Sequence, residues 1–559
     1  MRRATGPVTP LQQASRSRLS TWLRKPLAQV RIRRRARFDE IAQLAGDVDR
    51  AVQAAGPRQG PRVLVVQLKE GPVLAGISAV LAQALRLRGA EVGLLTCGGG
   101  QPVCEVGWAR RTYPFPCDRC SFFTDSWARA QGIQTFRLRD GMPWGANAAK
   151  APVDLPAGAP DGIDLAEATG TSVPRFFLAG NYHGLPLSDE VTRDFTVAAA
   201  GVHAAFEPIF DSFRPDVVVV HNGLTTSEYV VKEVAEARGA RAVTYCSGFP
   251  AGSLMFSADE PAIKHKSQRP WQQQRDQPLT AAQSRLIRLY MESRFAGRGT
   301  YGHLYRDPRA DGLREELDIA DHDRVVTLFT NIAWDTATLG RDVGFHSMQS
   351  FVLEAVGAMP QHPRSALIVR IHPEEHTWGS AEPLQELLDQ QFPELPPNVR
   401  IVGHDRSINS YALMDASDVV LTYTSTTGLE AALRGRPVAV CGDAHYRGKG
   451  FTTDVRDVED LHAVLGNGAG ATDAQIDLAW RYAFMFFFRM CIPFPAVDEP
   501  TPDALGPLPT TAAALAPGRD PYLDFVCDGI LAGGGFVLPA DLVAAAATTP
   551  DHETQLVHG

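Results

Sequence analysis

Apolar residues along this chain fall into short solid runs rather than the alternation of half-exposed strands. RVLVVQL (62–68), PDVVVV (215–220), ARAVTY (240–245), DRVVTLFTN (323–331), ALIVRI (366–371), DVVLTY (418–423) and GRPVAVC (435–441) each read as a strand buried on both faces. Between them lie stretches of helical period: VLAGISAVLAQALRLRG (73–89), closed by a glycine, a helix from about Asp189 to Phe213, SEYVVKEVAEARG (227–239) and LEAAL (429–433). Strand, helix and strand in close succession predict parallel β-α-β units, and hence an α/β protein of two Rossmann-like, doubly wound domains. The polar stretch 257–280 and the amphipathic AAQSRLIRLYMESRFAG (281–297) separate the two halves. The divisions expected are a basic arm over 1–50, a first domain over 51–260, a linker and connecting helix over 261–322, a second domain over 323–470, and a C-terminal helix and tail over 471–559.

The polar punctuation falls at strand C-terminal ends, the ligand-binding edge of an open parallel sheet. ALIVRI runs into His372-Pro373-Glu374-Glu375, and DVVLTY into Thr424, Ser425, Thr426, Thr427 and Gly428. Hydroxyl residues opening a helix offer side-chain donors beside free backbone N–H groups, an arrangement suited to phosphate. Either cluster alone is as well explained by helix capping and loop closure. Two such clusters on equivalent strand ends favour a site. The turn after the first strand, Lys69-Glu70-Gly71-Pro72, lacks a Gly-x-Gly-x-x-Gly spacing, so a dinucleotide cofactor finds no support there. Glu70 is the nearest carboxylate able to serve as a base, or else an acid at a helix start.

Ordered along the second half, these residues resemble the nucleotide-binding part of GT-B glycosyltransferases of the capsular and surface polysaccharide type. The resemblance rests on Thr330-Asn331 with Trp334-Asp335, His372-Pro373, Ser425-Thr426-Thr427-Gly428-Leu429-Glu430-Ala431, Gly435-Arg436-Pro437-Val438 and Tyr446-Arg447-Gly448-Lys449-Gly450. It implies a glycosyltransferase that moves a sugar from a nucleotide-activated donor, CMP-linked ahead of UDP-linked, to a cell-surface or capsular glycan or lipid-linked acceptor. The donor's phosphate and nucleoside then fall to Asn331, Arg370, His372, Ser425, Thr426, Thr427, Gly428, Glu430 and Lys449, with Arg341 or Lys449 available to a second phosphate. Asp335 and Glu70 stand as catalytic candidates. The resemblance also implies that the two Rossmann-like domains face across a cleft, which His221-Asn222-Gly223, ending PDVVVV, would line, with His221 a proton acceptor and Asn222 an acceptor-binding residue. Fixed donors at the leaving phosphate imply no catalytic metal. Two other readings are a non-hydrolysing nucleotide-sugar epimerase and a catalytically silent scaffold of a glycan assembly.

Four of the eight cysteines, Cys97, Cys104, Cys117 and Cys120, fall within 24 residues, and Cys117-Asp-Arg-Cys120 has the spacing that lets two sulfurs face one metal. A structural zinc, separate buried thiols, and redox or disulfide roles are the readings open here. A Gly-, Ala- and Pro-rich stretch from Asp140 to Pro174 reads as a surface insertion or lid.

Charge adds one feature. Residues 1–37 carry eleven Arg or Lys and no acid, so the remainder of a chain of net charge −8 carries −19. Such an arm suits an anionic membrane surface, an organellar transit segment or a solubilising tail. Nucleic acid is disfavoured by the acidic body. No apolar run is long enough to cross a bilayer; the longest candidate, AFMFFF (483–488), lies between Arg481 and Arg489. The expectation is a cytoplasmic protein, peripheral on the inner face of the plasma membrane.

Overall fold

The computed structural model describes residues 29–56, 60–106, 117–145, 151, 162–258, 260–296, 312–403, 406, 408–467, 470–500 and 504–546. Residues 146–150 and 152–161 of the 140–174 insertion and the greater part of the basic arm lie outside these residues.

The first sheet holds β1 (Arg62–Gln67), β2 (Glu91–Thr96), β3 (Thr135–Arg137), β4 (Val217–His221), β5 (Arg241–Ser247), β6 (Ser253–Ser257) and β13 (Ile492–Pro493), in the order β13-β6-β5-β4-β1-β2-β3. Its pairs from β3 through β5 are parallel, while β6 is antiparallel to both of its neighbours. The second sheet holds β7 (Arg324–Phe329), β8 (Ser365–Arg370), β9 (Val399–Val402), β10 (Val419–Thr422), β11 (Val438–Val440) and β12 (Thr453–Asp454). All of its pairs are parallel, in the order β12-β11-β10-β7-β8-β9. Every residue of β8 is buried, as its unbroken apolar run requires of a strand covered on both faces.

Both sheets thus reverse direction of winding at one place, between β1 and β4 in the first and between β7 and β10 in the second. Ligands of doubly wound sheets bind outside the strand C-termini at such a switch point.

Helix α1 (Phe38–Ala55) corrects the expected limit of the arm. Phe38, Ile41, Leu44 and Val48 are buried in the first domain's core, so ordered structure begins well before residue 50. Helix α2 (Pro72–Leu87) starts with proline at its first position, where a missing N–H removes no bond, and ends before Gly89 at φ 92°. At the other end of the chain, helix α9 (Asp473–Ala483) runs into a π-helical turn, Phe484–Met490, and then into β13 on the first sheet. AFMFFF is therefore buried at the junction of the two halves, with Ala483 to Phe488 each 2% exposed or less. The tail continues around the first domain, where Arg37 donates to the Leu505 carbonyl and Glu40 accepts the Leu508 N–H. No helix among the described residues is long and apolar enough to cross a membrane.

Candidate functional site

On the second sheet the switch point is closed by one side chain. Asn331, two residues beyond β7, accepts the Thr424 N–H on its Oδ1 at 3.1 Å, joining the ends of β7 and β10. Thr424 Oγ1 is buried there without a hydrogen-bond partner among the described residues. His372 follows β8, its N–H donating to Thr330 Oγ1 at 3.0 Å. Its Nδ1 accepts the Glu374 N–H at 3.2 Å, which leaves the ring proton on Nε2. Burial holds this imidazole down at about 4, with Asp335 opposing and Arg370 reinforcing the shift. His372 is therefore neutral at pH 7 and presents an N–H dipole rather than a cation.

Arg370 lies close enough to His372 to disfavour its protonation. Its Nη1 donates to the Gly403 carbonyl at 2.7 Å, across the ends of β8 and β9. Asp335 accepts the Ala337 N–H at 3.1 Å and the Thr336 hydroxyl at 3.0 Å, so its carboxylate shapes its own loop beside His372. Glu375, in the same turn as His372, is pushed up by burial to about 7 while accepting the Leu384 N–H.

The hydroxyl turn is built from below. Ser425 Oγ donates to Thr427 Oγ1 at 2.9 Å, and the Tyr446 hydroxyl donates to the Ser425 carbonyl at 2.6 Å. A Cβ on Gly428 would stand 2.1 Å from that hydroxyl, so glycine is the side chain that lets Tyr446 support the turn. Helix α8 (Thr427–Leu433) is seven residues long, and its dipole adds little; Thr426 stands just before it.

Three expected donor contacts are redirected. Glu430, expected to face a nucleoside, is 1% exposed and ion-paired to Arg294 at 2.9 Å, with Tyr411 donating to its other oxygen. Arg341 donates to the carbonyls of Asp443 and Lys264 at 3.2 and 3.1 Å, bracing the crossing between the halves. Lys449 donates to Gln268 Oε1. The two cations assigned to a second phosphate are therefore engaged elsewhere.

On the first sheet the switch point holds a buried ionic cluster that the sequence reading missed. Lys69, just after β1, lies 2.8 Å from Glu105 and 3.0 Å from Glu228, and donates to Thr225 Oγ1 at 2.9 Å. Burial alone would raise Glu228, but Lys69 and His221 hold it down at about 2. His221, ending β4, has its Nδ1 3.8 Å from Glu228, and Asn222 adopts φ 55° with its Oδ1 buried and unpartnered among the described residues. Glu70 is ion-paired to Arg119 at 2.9 Å, which ties it to the cysteine turn and weakens its case as a base. A lysine directly beyond a buried strand was the signal available for this cluster; its acids lie 36 and 159 positions away and carry no local mark.

The two edges meet through residues 168–182. Thr226, opening helix α5 (Thr226–Ala237) beside β4, donates its hydroxyl to the Ala168 carbonyl, while its N–H goes to Ser172 Oγ. From the same segment, Leu178 offers its carbonyl to Ala381 N–H at 2.9 Å, and Asn181 N–H reaches Glu382 at 2.9 Å. Leu178, Ile332 and Trp334 form a small buried cluster. The loops beyond β7 and β8 are thus tied through this segment to the helix that follows β4.

Residues 303–477 match the family model of capsule polysaccharide biosynthesis proteins. This segment is of the capsule polysaccharide biosynthesis type. It carries every donor-side residue discussed above and spans just under a third of the chain. No curated protein sequence matches. Among solved structures, the KpsC β-Kdo 2,4 transferase of Thermosulfurimonas dismutans shares 15% identity over 54% of this chain and 86% of its own, at a TM-score of 0.33. Sucrose-phosphate synthase of Thermosynechococcus elongatus gives 15% over 77% and 95%, at 0.28. The UDP-GlcNAc 2-epimerase of Neisseria meningitidis gives 11% over 75% and 98%, at 0.24. These likenesses are slight, and the reading of the capsule-synthesis segment rests on its own residues.

Proposed function

We propose that the chain is a glycosyltransferase of capsule or surface polysaccharide synthesis, moving a sugar from a nucleotide-activated donor onto a glycan or lipid-linked acceptor. The observation that carries this reading is the matched pair of switch points. Each presents an oxygen that is buried and, among the described residues, unpartnered, Thr424 Oγ1 on one sheet and Asn222 Oδ1 on the other, and each has a histidine at a strand end of the same edge. Two such oxygens, one at the ligand edge of each sheet, suit two substrates.

In this reading the donor phosphate lies against His372 Nε2–H and the 424–427 turn. As the sugar–oxygen bond breaks, its electron pair passes to the phosphate oxygen, where a fixed N–H dipole and the Arg370 charge stabilise it. The acceptor hydroxyl forms the new bond and gives its proton to His221, which Glu228 orients. A donor with one phosphate fits best, because Arg341 and Lys449 are committed to Asp443, Lys264 and Gln268. We infer a CMP-sugar ahead of a UDP-sugar on that ground.

Thermal shifts with CMP, CDP, UMP and UDP test the site and the donor together. CMP is expected to raise Tm most. His372→Ala is expected to lower turnover by about tenfold to a hundredfold with Tm little changed. No shift with any nucleotide, or full transfer by that variant, would overturn the reading; a uridine nucleotide binding about tenfold tighter, about 1.4 kcal/mol, would overturn only the donor assignment.

A further inference from the structure

Four thiols that the transfer chemistry leaves unused meet in the first domain. Cys97 follows β2, Cys104 lies in the loop beyond it, Cys117 directly precedes helix α3 (Asp118–Gln131), and Cys120 sits in that helix's first turn. All four are free thiols and line one cavity of about 30 Å³, enough for one or two water-sized species. The backbone is bent to bring them there. Gly98, Gly99 and Gly100 take φ 69°, 92° and 93°, and a Cβ on Gly99 would lie 3.1 Å from the Cys117 Cβ. This glycine run lowers the loop beyond β2 onto the Cys-Asp-Arg-Cys turn. Gln101 Nε2 donates to Cys97 Sγ at 3.3 Å, the kind of outer contact that orients a metal-bound sulfur.

We propose that Cys97, Cys104, Cys117 and Cys120 take up one thiophilic divalent cation of the zinc class as a structural brace. Each thiol gives up its proton to solvent as its sulfur binds, and no electron is transferred. Among the described residues no three His, Cys, Asp or Glu side chains are already gathered at ligand spacing. Binding therefore draws the four sulfurs inward, to about 2.3 Å from the ion, a contraction that uncharged thiols have no reason to make alone. The brace has a purpose in this fold. The cysteine turn carries Arg119, which holds Glu70 at 2.9 Å, and the same cavity is lined by Lys69 and Glu105 of the buried cluster. A metal here fixes the floor of the first sheet's switch point.

The test uses the full chain, purified without chelator after growth with added zinc. Elemental analysis is expected to find about one zinc per chain, and exchange to cobalt(II) is expected to give thiolate-to-cobalt charge-transfer and tetrahedral ligand-field bands. Cys104→Ser is expected to weaken metal binding by at least about tenfold, while Cys441→Ala, at a buried thiol in the second domain, leaves it unchanged. Should Cys104→Ser fail to fold, the cobalt spectrum of the unaltered chain still decides. Metal-free protein with four freely titrating thiols, cobalt bound without thiolate bands, or disulfides linking these cysteines would each overturn the proposal.

Discussion

Asn331 and Thr424, 93 residues apart, are joined by one hydrogen bond of 3.1 Å across the second sheet's switch point. The bond fixes how the loop beyond β7 approaches the hydroxyl turn beyond β10, and with it where a phosphate would rest. Truncating Asn331 leaves the Thr424 N–H unpartnered and frees both loops, at about 1–3 kcal/mol for the buried donor. Asn331→Ala is therefore expected to raise the apparent Kd for CMP by about tenfold or more, whereas Asn331→Asp, which keeps the accepting oxygen, should retain the loop geometry. Isothermal titration of both variants checks this; equal affinity for the alanine variant and the unaltered chain would show that the bond positions nothing.

Gly428 is expected to tolerate no side chain. Its missing Cβ makes room for the Tyr446 hydroxyl at 2.1 Å, and that hydroxyl also exchanges a hydrogen bond with Thr422 Oγ1 at 2.9 Å. Gly428→Ala should destabilise by about 1–3 kcal/mol through overpacking. Adding Tyr446→Phe removes the nearest clashing atom, so the double variant should recover part of that loss despite losing two hydrogen bonds. Urea unfolding of the two single variants and the double variant gives the coupling directly.

The strand ends could be read from sequence because their signals are local: an apolar run long enough for one buried strand, then His-Pro, Asn or a cluster of hydroxyls. What the side chains at those ends touch could not. Glu430 sits in the right motif on the right helix, yet its carboxylate is claimed by Arg294, 136 residues earlier, on a helix (α6, Ala281–Phe295) that packs beneath it. Arg341 looked available until the crossing between the halves laid the 263–264 carbonyls against it. Lys69 passed as a turn residue because Glu105 and Glu228 reach it only after a loop and a strand crossover have been folded. Pattern fixes an element and its faces; pairing of charges needs the tertiary neighbours.

The basic arm is expected to bind anionic surfaces. Its charge lies almost wholly in residues 1–28 and the adjoining helical stretch, with Arg31, Arg33, Arg34 and Arg35, ahead of the packed residues that begin at Ala36 and Arg37. Cations near an anionic leaflet contribute up to about 1 kcal/mol each. Deleting residues 1–28 should leave Tm unchanged and weaken sedimentation with phosphatidylserine vesicles at low salt. Equal vesicle binding by the full and shortened chains would remove the membrane argument.

The last expectation concerns acid. Burial holds His372 at about 4 and His265 at about 3, Arg341 adding to the second, and it lowers His445 well below its ordinary value. In the unfolded chain each titrates near 6.5, so below that pH the unfolded state binds more protons and is favoured. Their contribution to stability is complete above about pH 6.5 and is lost as the pH falls toward about 4. Glu228, held down at about 2, adds a second loss that begins only below its unfolded value near 4.5. Glu375 works the other way: raised to about 7, it contributes most below its unfolded value and loses that contribution as the pH rises through 7. Three depressed histidines outweigh one raised carboxyl, so stability should fall by several kcal/mol between about pH 6.5 and pH 4. Removing the opposing group sharpens the test, since Glu375→Gln should make the fall between pH 6.5 and 5 steeper, while His265→Gln should make it shallower. Urea midpoints measured every half unit of pH decide this, and a midpoint constant from pH 7 to pH 5 in all three proteins would mean that these histidines are not held neutral by the fold.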